Sequence, residues 1–383
     1  MVNKNYYLTD IKKNGIKGDG IVKIYLKRFS AYILALILVF TTTGCNNFNR
    51  VTEASSDNSA ANSTSKPSEN LTKSSVSIGL SLPNQQEERW VKDRKTIEAE
   101  SKALGIDLKV QVADSDAVKQ DSQCESLISQ GIKVLILVPH DARSSTSIIE
   151  KAHKAGIKVI SYDRLVMGAD VDLYLSFDNI KVGELQGEYL TQKVPQGNYV
   201  VLSGSPSDNN AYLFKQGAMK YIQPLVDKGD VKIVMEEPVT DWLPSEALKL
   251  MKNALTNNQN KIDAVLAPND GTAGSCIQAL AEQKLDGKVP VTGQDSDLLA
   301  AQRIVKGTQS MTVFKDTREL GKEAVKLALK MLNGENIETT HKVNNEKIDV
   351  PSILLSPVRV DKDNIDEVLI DSGYLKKEDV YID

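Results

Sequence analysis

From Val76 onward, short runs rich in Val, Ile and Leu alternate with longer segments patterned for helices, and this alternation limits what the chain can fold into more than any other feature. "VSIGLSL" (76–82), "DLKVQVA" and "VLILVP" (134–139) read as strands, the last apolar without a break, as a strand covered on both faces requires. Between them lie "RWVKDRKTIEAESKAL", which ends at Gly105, and a helix over about 118–130 that stops at Gly131. A helix through Ala155 and Gly156 then leads into "IKVISYDR", and "DLYLSFD" (172–178) and a helix over 182–192 close a first set.

The rhythm starts again with "NYVVLSG", a helix over 211–226, "VKIVMEE", a helix over 245–256 with Ser245 as its N-cap, and "DAVLAPND". A helix over 271–283, the strand "VPVTGQD", a short helix to Lys306, the strand "SMTVFKD" and a helix over 318–332 follow. Repeated βα units demand parallel sheets with helices on both faces. The expected fold is therefore α/β, with two doubly wound parallel-sheet lobes. The tail "VPSILLSPVRVDKDNIDEVLIDSG" leaves the rhythm and reads as a strand pair and a short helix that crosses back between the lobes. The expected boundaries are 76–180 for the first lobe, with a return segment at about 310–345, and 181–309 for the second, with a C-terminal segment at about 346–383.

Ahead of the lobes, "LKRFSAYILALILVFTTTGCNN" joins a basic start, an apolar run from Ala31 to Phe40 and small residues up to Cys45. That is the layout of a secretory signal, and the run is shorter than the roughly 20 residues of a membrane-spanning helix. A start near Val22 would give this signal an ordinary length. "TTGC" resembles a lipobox with Thr42 where Leu is usual, which makes Cys45 the expected lipidation site and residues 1–45 the signal. Residues 46–75 are rich in Ser, Asn and Thr and read as a flexible tether. The expected location is extracytoplasmic, either anchored to the cell membrane as a lipoprotein or periplasmic.

Composition removes several function classes. The formal charge of -4 offers no basic face for nucleic acid. Cys45, Cys124 and Cys276 match no disulfide framework or metal spacing, and His140, His153 and His341 are scattered, so no metal or cofactor is expected. No phosphate-cradling P-loop is present.

Ligands of open parallel sheets sit beyond the carboxyl ends of the strands. Here those ends read "PHD", "YDR", "GSPSDNN", "EPVTDW", "PND", "GQD" and "FKD". Any one Asp at such a place serves equally well as an N-cap of the next helix, and Asp163 beside Arg164 suits a structural ion pair. The recurrence across both lobes points to one polar cleft. Trp242, a large aromatic in the short polar stretch "TDWLPSE", is the odd member.

At these motifs the chain resembles the periplasmic sugar-binding proteins of the ribose type, and within them the branch that binds D-xylose for ABC transporters. The resemblance rests on "ERWVKDR", "AGIKVISYDR", "SFDNIKVGELQGEYL", "VPQGNYVVLSGSPSDNNA", "DWLPSEALKLMKNALT", "GKVPVTGQDSDL" and "GTQSMTVFK", in order and across the whole region from Val76. It implies a periplasmic-binding-protein-like fold whose lobes are joined by a three-segment hinge and close on one sugar. Carried over motif by motif, the implied sugar-binding residues are Arg89, Trp90, Asp163, Arg164, Asp208, Asn210, Trp242, Asn269, Asp295 and Lys315. His140 stands where Tyr is more usual and is left out, and "SLPNQQEERW" is less acidic than the family's loop.

These residue types suit a monosaccharide. Carboxylates accept from pairs of hydroxyls, Arg and Lys donate, and Asn does both. Trp90 and Trp242, one from each lobe, are expected to sandwich the ring's C–H faces. A glycosidase would need room for a leaving group beside its two carboxylates. A repressor of related fold would carry a helix-turn-helix where this chain carries a signal. Two partners stay open for the loaded protein: an ABC permease, or a membrane sensor such as a receptor or histidine kinase.

Overall fold

The structure, a computed structural model, describes residues 77–382, which belong to one compact unit. The expected signal, Cys45 and the tether lie outside the described residues. The first run of elements is β1 (Ser77–Leu82), α1 (Glu88–Ala103), β2 (Asp107–Val112), α2 (Ala117–Ser129), β3 (Val134–Leu137), α3 (Thr146–Lys154), β4 (Lys158–Tyr162) and β5 (Leu173–Phe177). The second run is α4 (Asn179–Lys193), β6 (Gly197–Ser203), α5 (Asn209–Lys228), β7 (Val231–Pro238), α6 (Pro244–Asn257), β8 (Ala264–Leu266), α7 (Asp270–Glu282), α8 (Leu298–Lys306) and β9 (Met311–Phe314). The chain ends with α9 (Thr317–Asn333), β10 (His341–Asn344), β11 (Asp349–Leu355), β12 (Val358–Asp361), a single turn of π-helix (Asp366–Asp371) and α10 (Lys377–Val380), which provide the short helix expected of the tail.

The first lobe is built on a sheet of order β10-β11-β5-β4-β3-β1-β2, parallel except for the β10–β11 pair. One apolar layer joins Ile78, Leu80 and Ile136 to Ile97 of α1 and Leu320, Ala324 and Val325 of α9. The other joins Leu135 and Val159 to Leu127 of α2 and Ile148 of α3. With side chains of β3 buried on both faces, the unbroken run "VLIL" is the direct consequence.

In the second lobe β7, β6 and β8 run parallel, and β9 pairs with β12 antiparallel. "VPVTGQD" is not a regular strand, yet it joins these two pieces. Val265 and Thr292 bond across one side of it, and Val313 and Asp295 across the other, at 2.9–3.1 Å. Pro290 offers no N–H, and the Thr292 hydroxyl stands in for ladder bonds to both N and O of Ala267.

The tail differs from expectation in two ways. β11 and β12 do not pair: β11 extends the first sheet beside β5, and β12 joins β9 in the second lobe. The two residues between them are Ser356 and Pro357: Pro357 cannot take the positive φ of a type I′ turn, and Ser356 is not the glycine that a type II′ turn favours. The expected segment boundaries also shift. β9 packs through Met311 and Val313 into the second lobe rather than opening a return segment at 310, and β11 carries the return segment on to 355, past the expected 345. The chain thus passes between lobes after β5, after β9 and after β11, and Asp178 N–H donates to Leu355 O at 2.9 Å to tie two of these crossings.

Three strand-end acids and one strand-end Asn are indeed N-caps. Asp178 caps α4, Asp208 caps α5, Asp316 caps α9, and Asn269 forms a capping box with Thr272 on α7. Ser245 is not a cap: α6 begins one residue earlier, with Pro244 at its first position.

Candidate functional site

A cavity of about 240 Å³ lies between the lobes and is lined by all ten residues named from the sequence, together with Glu87, Phe214 and Gln294. The first lobe supplies Glu87, Arg89 and Trp90 from the start of α1, and Asp163 and Arg164 from the end of β4. The second supplies Asp208, Asn210 and Phe214 from α5, Trp242 from the turn before α6, Asn269 from the cap of α7, and Gln294 and Asp295 from the segment before α8. Lys315 sits on the crossing after β9 and so reaches both lobes.

Arg89 is the hub of the charges. Its Nη2 lies 2.8 Å from Asp163 Oδ2 and 3.2 Å from Asp93 Oδ2, and its Nη1 lies 3.6 Å from Asp295 Oδ1. Lys315 Nζ stands 3.0 Å from Asp295 Oδ1 and 3.9 Å from Asp163 Oδ2. Burial alone would lower Arg89, but Asp163, Asp93 and Asp295 outweigh it, and the guanidinium stays charged. Burial would likewise raise Asp163, yet Arg89, Lys315 and Arg164 hold its carboxyl below the ordinary value. Behind the cavity Asp93 is raised to about 6, because burial exceeds the help of Arg89 and of the Tyr162 hydroxyl.

Asp163 and Arg164, adjacent in sequence, do not pair with each other. Asp163 has φ 58°, which turns its side chain toward Arg89, while Arg164 Nε reaches Asp208 Oδ2 across the lobes at 2.8 Å. The other Asp208 oxygen accepts the Asn210 N–H of its own helix, so both of its oxygens are engaged. Burial nevertheless pushes Asp208 up, despite Arg164 and that N–H. Asn210 is committed too. Its Nδ2 donates to Asp163 O at 3.0 Å, and its Oδ1 accepts from Asn179 Nδ2 at 2.9 Å.

Other atoms of the cavity are not committed. Asp163 Oδ2, Asp295 Oδ1, Gln294 Oε1 and Trp242 Nε1 are buried without a hydrogen-bond partner. The two carboxylate oxygens lie close to cations, but off the angle of a hydrogen bond, so each retains a free lone pair. Three acceptors and one donor thus converge on the cavity, and the two with no partner of any kind, Gln294 Oε1 and Trp242 Nε1, cost about 1–3 kcal/mol each while nothing pairs with them. Asn269 Oδ1 is used by Thr272.

The walls are aromatic. Trp242 lies edge-on to Phe214, with centroids 6.4 Å apart, and presses against Gly204. Asp241 and Trp242 both have positive φ, at 51° and 58°, a strained turn that aims the indole inward. Trp90 is more enclosed: its Nε1 donates to Glu87 Oε1 at 2.8 Å, and the Arg89 and Arg164 guanidinium carbons lie 4.1 and 5.2 Å from its ring centroid.

Sequence reasoning missed Glu87, Phe214 and Gln294. Phe214 follows Asn210 by one helical turn, so the i, i+4 rule on α5 would have found it. Gln294 stands inside the "GQD" motif, next to Asp295. His140 and His341 line no part of the cavity, while His153 pairs with Asp172 at 2.7 Å on the surface of the first lobe.

Residues 78–336 match the model of the periplasmic binding protein domain. The chain belongs to that family. It is 46% identical over 306 residues to the D-xylose-binding periplasmic protein of Haemophilus influenzae, covering 80% of this chain and 92% of that one. The protein of the same description from Escherichia coli is also 46% identical, over 305 residues, with the same coverage. Among solved structures, a carbohydrate transporter solute binding protein from Chloroflexus aurantiacus in complex with D-glucose aligns with a TM-score of 0.75 and 36% identity, over 80% of this chain and 98% of that one. The family member described here is a binding protein, not an enzyme, with two α/β lobes of the periplasmic-binding-protein fold.

Proposed function

We propose that the protein is an extracytoplasmic receptor for a neutral monosaccharide, D-xylose first, which it encloses by closing its lobes and presents to an ABC permease. The observation that carries this reading is the set of cavity atoms with unused hydrogen-bonding capacity. Three acceptors and a donor against a Trp–Phe wall are what a ring with hydroxyls on its edge and C–H groups on its faces requires. Four carboxylates and three cations line the cavity, so it is close to neutral and carries no surplus charge for a phosphate. The 46% identity to two D-xylose-binding proteins favours that sugar.

Within this reading the ten residues divide their work. Asp163, Asp295, Arg89 and Lys315 meet hydroxyls, Asn269 offers its free amide nitrogen, and Trp242 stacks on the ring. Trp90 forms the opposite wall of the expected sandwich. Arg164 and Asp208 latch the lobes together beside the ligand, and Asn210 holds Asp163 in place. The apolar leader and Cys45 supply export and a lipid anchor to the membrane.

A membrane sensor is the second partner that the same closure would serve. A relative 36% identical to this chain is described as a multiple sugar-binding periplasmic receptor.

A thermal-shift panel tests the reading. At about 100-fold excess over Kd, D-xylose is expected to raise the midpoint by about 5 °C. D-ribose, D-glucose and L-arabinose are expected to raise it less, and D-ribose 5-phosphate not at all. A shift with the phosphate and none with free sugars would overturn the assignment.

A further inference from the structure

We propose that Asp270, which does not line the cavity, is a positioning residue for the site: its carboxylate holds the turn 294–297 in the shape that presents Asp295 to the ligand. The proposal rests on the sugar-binding reading and adds to it the Asp of the strand end "PND", which is not among the residues the resemblance implies.

The turn needs such support. Asp295 and Ser296 both have positive φ, at 97° and 54°, an uncommon backbone state for residues with side chains. Asp270, 1% exposed at the first turn of α7, touches this turn repeatedly. Its N–H donates to Gln294 O at 3.0 Å, and its Oδ2 accepts the Asp297 N–H at 3.1 Å. Oδ2 also accepts from Thr312 Oγ1 at 2.9 Å, and that hydroxyl in turn accepts the Ser296 N–H at 3.2 Å. Oδ1 accepts Gln309 Nε2 at 2.7 Å. A Cβ on Gly293 would fall 2.1 Å from Oδ1, so the carboxylate lies directly against the start of the turn.

An acid at the start of a helix is ordinarily explained by the helix dipole and the free N–H groups of the first turn. That explanation does not cover Asp270. Asn269 already caps α7, and neither carboxylate oxygen of Asp270 bonds an N–H of its own helix. Every bond goes to the turn, to β9 or to Gln309 just before it.

Two of the donors are also fixed in direction. Gln309 Oε1 accepts Arg303 Nε at 2.9 Å, which commits its Nε2 to Asp270. The Asp297 backbone N–H on the other oxygen can only donate. A carboxylate satisfies all three donors. Asp270→Asn has the same shape, but its NH2 must face either Gln309 Nε2 or the Asp297 N–H, donor against donor. The turn then relaxes and takes Asp295 out of reach.

The test is a double-mutant cycle read by D-xylose titration up to millimolar concentrations. D270N is expected to weaken binding at least tenfold in the wild-type background and less than twofold in D295A. Thr312→Val, which removes the hydroxyl relay without adding a donor, is expected to weaken binding several-fold with its thermal midpoint close to wild type. Wild-type affinity in both D270N and T312V would overturn the proposal. So would the same fold loss from D270N in D295A as in wild type, since a general structural effect adds independently of Asp295. A wild-type protein that binds no monosaccharide at all would instead overturn the sugar-binding reading, and this proposal with it.

Discussion

The indole of Trp242 lies where a side chain on residue 204 has no room. A Cβ built on Gly204 would come within 2.0 Å of the ring. Glycine there lets the outer edge of the six-membered ring come up against the strand end beside Phe214. Gly204→Ala is expected to push the indole inward, weaken sugar binding about tenfold or more and shift the tryptophan emission of the free protein. Unchanged affinity and emission would mean that the ring's position is set by something else. The residue scale was the most legible in the sequence, because strand ends of an α/β sheet expose a fixed few positions, and "YDR", "DWLP", "PND", "GQD" and "FKD" sit at them. It was less legible who pairs with whom. The sequence suggested an Asp163–Arg164 pair, but the positive φ of Asp163 sends the two side chains to different partners.

Among the elements, the packing of α4 against α5 rests on glycine. A Cβ at Gly183 would stand 1.8 Å from Phe214 O, and one at Gly187 2.4 Å from Ala218 O, so the two helices meet backbone to backbone. Gly183→Ala must force them apart and is expected to cost about 3 kcal/mol, read as a lower urea midpoint. A loss below about 0.5 kcal/mol would show that the helices can slide without strain. Nearly all helices and strands were readable from period and caps. The exceptions have local causes. "VPVTGQD" has the composition of a strand, but Pro290 and the Thr292 hydroxyl interrupt its ladder. "SILLSPVRVD" has the look of a hairpin, but Ser356 and Pro357 do not suit the turn, and its two strands go to different lobes.

Seen as a whole molecule, the protein is closed. Arg164–Asp208, Arg89–Asp295, Asn210–Asp163, and the Ala142 N–H on Ser207 O at 2.9 Å all join residues of opposite lobes around the cavity. Such pairs are buried and costly to desolvate, which suits a state that forms fully only when the ligand completes the network. Two lobes were legible from the repeated βα rhythm. Where the chain crosses between them was legible only in part, because β9 and β11 are short apolar strands that would fit either sheet by composition, and their partners are set by tertiary packing.

The central claim is that this cavity binds a neutral monosaccharide through Trp242 and the Asp163–Arg89–Asp295–Lys315 cluster. Calorimetry with D-xylose, followed in parallel by tryptophan fluorescence, tests it most directly on the wild-type protein, Trp242→Ala and Asp295→Ala. The account predicts one sugar per chain at micromolar affinity or tighter, corresponding to about -8 kcal/mol or more, with at least a hundredfold loss in each variant. Tight binding that survives both substitutions would place the sugar elsewhere on the molecule and contradict it.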